Sequence, residues 1–235
     1  MDAPTRFTDE TAVFEADDDP FAAARNHMVD SQVRPNKVTN PHIVQTMRRL
    51  PREAFLPPEL APLAYADAAV RLPGGRALMQ PMVIARLIQL AAPHVGDRAL
   101  VAGCGAGYGA AVLAGTGAAV LALEEDEALI AAARVALPAH APNVALVTGP
   151  IADGWPQGGP YDIILLEGAV RDIPAALGAQ LAPGRGRLVT VLVGKGRSGM
   201  AVLAEPTAAG LRAQPMFDCN TPPIASLLPP PGFVF

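Results

Sequence analysis

Cysteine is scarce in this 235-residue chain, and so are aromatic residues, histidine and concentrated positive charge. The two cysteines, Cys104 and Cys219, lie far apart with no Cys-x-x-Cys spacing, so neither a disulfide scaffold nor a zinc site is expected. His27, His42, His94 and His140 lack metal-ligand spacing and read as structural or exposed. Lys and Arg number 18 against 22 Asp and Glu, for a formal net charge of -4. With no basic run, that balance gives no general attraction to nucleic acid or anionic membrane. The first residues are acidic rather than basic-then-apolar, so no secretory signal is expected and a reducing, cytoplasmic setting follows. Residues 99–123 carry no charge, a run long enough to raise a membrane span. The run is mostly Ala and Gly, with glycines clustered at its start, and two short strands flanking a small helix suit it better.

What is present is aliphatic. Hydrophobic residues make up 51% of the chain and aromatic ones only 5%, so Ala, Val, Leu and Ile must build the core. Such a core suits helices packed on a parallel sheet whose strands are buried on both faces. The length fits one domain over 21–235, after a mobile acidic arm over 1–20 and with a Pro-rich apolar tail over 220–235. The tail's end, Phe233-Val234-Phe235, is expected to dock on the body.

Helices are expected over 21–33 and after the capping pair Asn40-Pro41, the latter turning Ile43, Val44, Met47 and Leu50 inward and stopping at Pro51. Residues 55–73 read as loop with short turns, and 82–92 as helix. An alternation follows: strand 98–102, glycine turn, helix 110–114, strand 119–123, helix 127–137, strand 144–148, strand 161–166, helix 174–181 and strand 187–193. One further strand is expected beyond residue 200. The pattern predicts βαβ units, and hence an α/β, doubly wound, mostly parallel seven-stranded Rossmann-like sheet with N-terminal helices.

The candidate site rests on two features at a fixed separation. Gly103-x-Gly105-x-Gly107 follows an apolar strand and precedes a helix, where glycines permit positive φ and close approach of backbone to a ligand. Glu124 closes the next strand, and adjacent strand ends of a doubly wound sheet face one crevice. An acid there can accept from both hydroxyls of a ribose. Tyr108 stands where the dinucleotide fingerprint continues, so a methionyl-adenosine ligand fits better than a pyrophosphate. This reading requires an open crevice with Glu124 facing into it.

From about residue 28 to 193 the chain resembles the protein-L-isoaspartate O-methyltransferases. The likeness is carried by Met28-Val29 through Val38, Leu50-Pro51-Arg52-Glu53-Ala54-Phe55-Leu56-Pro57-Pro58, Ala64-Tyr65-Ala66-Asp67, and Gln80-Pro81. It continues through Gly103-Cys104-Gly105-Ala106-Gly107-Tyr108, Gly154-Trp155-Pro156 and Pro160-Tyr161-Asp162. The resemblance implies methyl transfer from S-adenosylmethionine to the carboxylate of L-isoaspartyl residues in damaged proteins, with an isoaspartyl protein or peptide as partner and no metal. It implies cofactor contacts at Gly103, Cys104, Gly105, Gly107, Tyr108, Glu124, Glu125, Ile151 and Glu167, and substrate-side roles at Met79 and Gln80.

Several positions depart from the family pattern. Met79 replaces a Ser that would orient the substrate carboxylate, a loss that slows the reaction without forbidding it. Gly149-Pro150-Ile151 lacks the Asp that binds the adenine amine, and Val101 lacks an acid that steadies the cofactor's amino group. Glu167 stands where the family has Thr. It either faces and repels the substrate carboxylate, faces the methionyl ammonium in place of Val101, or lies solvated at a strand end. Cys104 and Trp155 read as packing residues. These departures keep two alternatives open: a methyltransferase with another acceptor, and a binding module that has lost catalysis.

Overall fold

The computed structural model describes residues 19–194 and 199–228; the first eighteen residues of the expected acidic arm and the tail beyond residue 228 lie outside them. Helix α1 (Ala22–Met28) leads into a wider π turn over Val29–Val33, so the expected helix 21–33 is present but changes its pitch midway. Met28, Val29 and Val33 stay buried through that change. Helix α2 (Pro41–Arg49) starts as expected: the Asn40 side chain accepts from the backbone N–H of His42 at 2.9 Å and of Ile43 at 3.3 Å. Turns of 3-10 helix over Arg52–Phe55 and Pro58–Leu63 fill the loop. A small antiparallel hairpin then appears, β1 (Val70–Arg71) with β2 (Ala77–Leu78), which the sequence reading missed. Helix α3 (Pro81–Leu90) follows, its first turn set by Pro81.

The uncharged run becomes strand β3 (Arg98–Ala102), helix α4 (Tyr108–Ala114) and strand β4 (Ala119–Glu124), as expected, and no helix among the described residues is long and apolar enough to cross a membrane. Helix α5 (Glu127–His140) is capped by Asp126 and runs past Pro138, where the expected helix stopped; in the last turn a proline removes only one bond of the ladder. Strands β5 (Ala145–Thr148) and β6 (Ile163–Val170), helix α6 (Ala175–Ala179) and strand β7 (Arg187–Val193) complete the alternation. Two strands rather than one then follow, β8 (Gly199–Thr207) and β9 (Gly210–Cys219). Strand β9 escaped notice because it is a largely exposed edge with Pro215 and a bulge near it, which blur the apolar alternation.

Among the described residues the main sheet has seven strands in the order β5-β4-β3-β6-β7-β8-β9, with β8 and β9 antiparallel. Strand β3 is its hinge, pairing in parallel with β4 on one side and β6 on the other. Its side chains alternate between two cores: Ala99 and Val101 pack with the helices α1 to α5, and Leu100 and Ala102 with Leu177, Leu181 and Ile224 on the opposite face. The topological switch therefore falls beside the carboxyl end of β3, where open α/β sheets form their ligand crevice.

Candidate functional site

The loop after β3 is shaped by residues with no side chain. Gly105 has φ 59° and Gly107 φ 101°, the left-handed region that other residues enter at a cost. A Cβ on Gly107 would stand 2.7 Å from Leu137 of α5, whereas one on Gly105 would meet nothing within 4 Å. The loop thus packs closely on its far side and is open at Gly105.

Glu124, the last residue of β4, faces this loop as the spacing predicts and is fully buried. Its Oε2 accepts from the Gly105 N–H at 2.7 Å. Its Oε1 accepts from the N–H groups of Glu125 at 2.9 Å and Asp126 at 3.2 Å. The remaining donor was not anticipated: Arg76, beside β2, gives its Nη1 to Glu124 Oε1 at 3.0 Å and its Nη2 to the Gly103 carbonyl at 2.6 Å. Arg76 is itself buried, with Ile151 and Ile224 closing around Gly103 beside it. The expected open crevice is therefore closed by a side chain, although the acid points inward.

Glu125 turns to the neighbouring strand end, its Oε2 accepting from the Ile151 N–H at 3.0 Å. Cys104 is 1% exposed, and burial followed by the nearby Glu124 charge pushes its thiol pKa well up, as suits a packing residue. Trp155 packs against the core on the face opposite the N-terminal helices.

A second group of polar side chains lies deeper. Strand β6 does not end at residue 166 as expected; it continues through Glu167 to Val170 with a register shift between Leu165 and Ala169. Glu167 is buried, so the solvated strand end is excluded. Its carboxylate occupies the space left by Gly109 of α4, where a Cβ would overlap it. Burial raises its pKa to about 8 despite the opposing pull of Arg76 and then Arg52, so at pH 7 the neutral acid predominates.

Arg52 is fully buried, its Nε donating to the Ala64 carbonyl at 2.7 Å and its Nη2 to the Met79 carbonyl. The guanidinium stands 4.7 Å from the Tyr108 ring centroid, and Phe55 meets the same ring edge-on at 5.5 Å. Arg52 Nη1, the Tyr108 hydroxyl and Glu167 Oε2 are buried without hydrogen-bond partners among the described residues. Met79 is buried, and Gln80 turns its amide onto Asp67 Oδ1 at 2.8 Å.

Loop and strand ends thus unite Gly103, Cys104, Gly105, Gly107, Glu124, Glu125 and Ile151, with Tyr108 and Glu167 behind them. Sequence reasoning missed Arg76 and saw Arg52 only as a landmark. A single charge directly after Gly74-Gly75 was the sole local hint, and nothing in it pointed to a partner 48 positions away.

Backbone at a glycine bend and an inward carboxylate at the adjoining strand end are groups a nucleoside uses, but with Arg76 on both of them the open crevice that the sequence reading required is not present. Sheet order and glycine loop together define a Rossmann-like protein of the S-adenosylmethionine-dependent methyltransferase class. Residues 23–215 match the family Protein-L-isoaspartate(D-aspartate) O-methyltransferase (PCMT), and the chain belongs to it. A relative from Methylorubrum extorquens, "Protein-L-isoaspartate O-methyltransferase", is 44% identical over 168 residues, covering 72% of this chain and 73% of its own. A Rhodopseudomonas palustris relative, "Protein-L-isoaspartate O-methyltransferase 1", is 36% identical over 220 residues, covering 90% and 89%. In fold the chain is similar to a solved protein-L-isoaspartate O-methyltransferase at TM-score 0.73 and 23% identity, covering 88% of this chain and 67% of that one. It is also similar to a Plasmodium falciparum protein solved with S-adenosyl-L-homocysteine, at TM-score 0.68 and 17% identity, covering 86% and 98%.

Proposed function

We propose that this chain transfers a methyl group from S-adenosylmethionine to the carboxylate of L-isoaspartyl residues in damaged proteins or peptides. The observation that carries the reading is the family match over residues 23–215, which spans both the glycine loop and Glu124. In this reading the Gly103 to Gly107 backbone and Glu124 hold the nucleoside, with Glu125 and Ile151 at its base. When bound, S-adenosylmethionine supplies an electrophilic sulfonium methyl group. The acceptor, an α-carboxylate with an ordinary pKa of about 3.5, is already ionised at neutral pH, so no side chain has to take a proton. The chain's task is to orient the partners and exclude water. Glu167, neutral at pH 7 and turned toward Gly109, adds little repulsion to an incoming carboxylate. Cytoplasmic residence belongs to the same proposal, supported by two free thiols.

The test uses the pure protein, methyl-labelled cofactor, an isoaspartyl peptide and its ordinary aspartyl counterpart. Base-labile label on the isoaspartyl peptide alone is the expected result. Label on neither peptide between pH 6 and 8.5, or on both equally, refutes the assignment. One observation favours a second reading, retention of the fold for binding without transfer: Glu124 already accepts from four donors of the chain itself, three of them on Oε1.

A further inference from the structure

We propose that Arg76 is a resident competitor for the cofactor site, a guanidinium that must leave Glu124 before a nucleoside can bind. The inference rests on the family's cofactor reading and concerns this chain's own residues toward it. A carboxylate offers about four acceptor positions. Four donors meet Glu124, three crowded on Oε1 (Arg76 Nη1 and the N–H groups of Glu125 and Asp126) and one, the Gly105 N–H, on Oε2. Three are backbone groups of the loop and the strand end and cannot leave without unmaking the site. Arg76 is the exchangeable one, a long side chain beside a two-residue strand of a small hairpin.

Arg76 makes a second bond in the crevice. Its Nη2 on the Gly103 carbonyl places the same guanidinium across the glycine bend, at 3.0 Å from where a Gly103 Cβ would stand. Both halves of the crevice, loop and acid, are thereby satisfied from within. Glu125 does the same next door by taking the Ile151 N–H. The protein has internal partners for the groups that would greet a nucleoside. A ligand whose competent state is only partly populated binds more weakly by that fraction.

A glycine pair leads into this side chain. Gly74 and Gly75, both with positive φ, precede Arg76, and a Cβ on Gly75 would meet nothing within 4 Å. The hairpin itself is anchored by Val70, Leu72 and Leu78 in the core, so the exchange asked of Arg76 is one of its side chain, which gives up its bonds to Glu124 and the Gly103 carbonyl and leaves the main sheet untouched.

The experiment titrates S-adenosylhomocysteine into the full chain by calorimetry, for wild type, R76A and R76Q, with thermal unfolding recorded with and without ligand. R76Q keeps most of the stem and gives a folded comparison if R76A is too unstable. The expected result is binding tightened roughly tenfold or more in the variants. Their unliganded melting temperature falls, because Glu124 loses a partner, and their rise on adding ligand exceeds that of wild type. A merely structural role for Arg76 gives the opposite sign, with weaker binding in both variants. Equal or weaker binding overturns the proposal while leaving the cofactor reading in place. Absence of binding in wild type and both variants overturns the two together.

Discussion

Glu167 shows how a single side chain answers to its surroundings rather than to its place in the chain. Three roles were open to it from sequence, and burial removes one, the solvated strand end: it is an acid kept mostly neutral by desolvation, held against Gly109 and within reach of the charges of Arg76 and Arg52. Its folded pKa of about 8 lies above the ordinary 4.5, so the folded state holds a proton that the unfolded chain gives up. The stability linked to this proton is fully present below about pH 4.5 and is lost as pH rises through about 8. Glu167→Gln, which carries no titrating proton, should escape that loss. Thermal unfolding of both proteins from pH 5 to 9 is expected to show the variant gaining on wild type by several degrees across the interval. Parallel curves would show that Glu167 titrates normally. Sequence reasoning had no access to this outcome, since a buried Glu and a solvated one look alike at the end of a run of Ile and Leu.

At the scale of elements, legibility followed local chemistry. Asn40-Pro41 announced α2 because a cap bonds to residues two and three positions on, and the structure places both bonds. Replacing Asn40 with Ala should therefore cost about 1 kcal/mol. Urea unfolding would register it as a lower midpoint at unchanged slope, and no change in midpoint would mean the cap is idle. Strands β3 and β4 were legible as apolar runs between glycines. The β1–β2 hairpin was not, because two paired residues on each arm make no periodicity to read. Strand β9 was hidden for a related reason: an edge strand owes its place to hydrogen bonds with β8, and side-chain pattern records those bonds poorly. Of the site, the bend and its acid were visible because they lie on consecutive strands. Arg76 was invisible because its pairing with Glu124 is purely tertiary.

At the scale of the molecule, a parallel centre and an antiparallel flank should differ in how readily they open. Strands β3, β4 and β6 are covered on both faces, whereas β9 is largely exposed and, among the described residues, bonded on one side only. Hydrogen exchange under native conditions is expected to leave amides of β3 and β6 protected longest and to release those of β9 first. Protection of β9 equal to that of β3 would point to a cover on that edge. The family fold accommodates such a gradient, because the crevice sits on the slow strands and the flank bears none of the site residues.

The glycine bend at residue 103 is walled in part by Ile224, more than a hundred residues downstream, whose segment is stitched to β6 by the bonds Ala169 N–H to Pro222 O and Ile224 N–H to Ala169 O. During synthesis the bend leaves the ribosome long before that wall does. A nascent chain can thus have every central strand in hand and still lack a finished pocket, so the place where a ligand would settle is among the last parts of this protein to be completed.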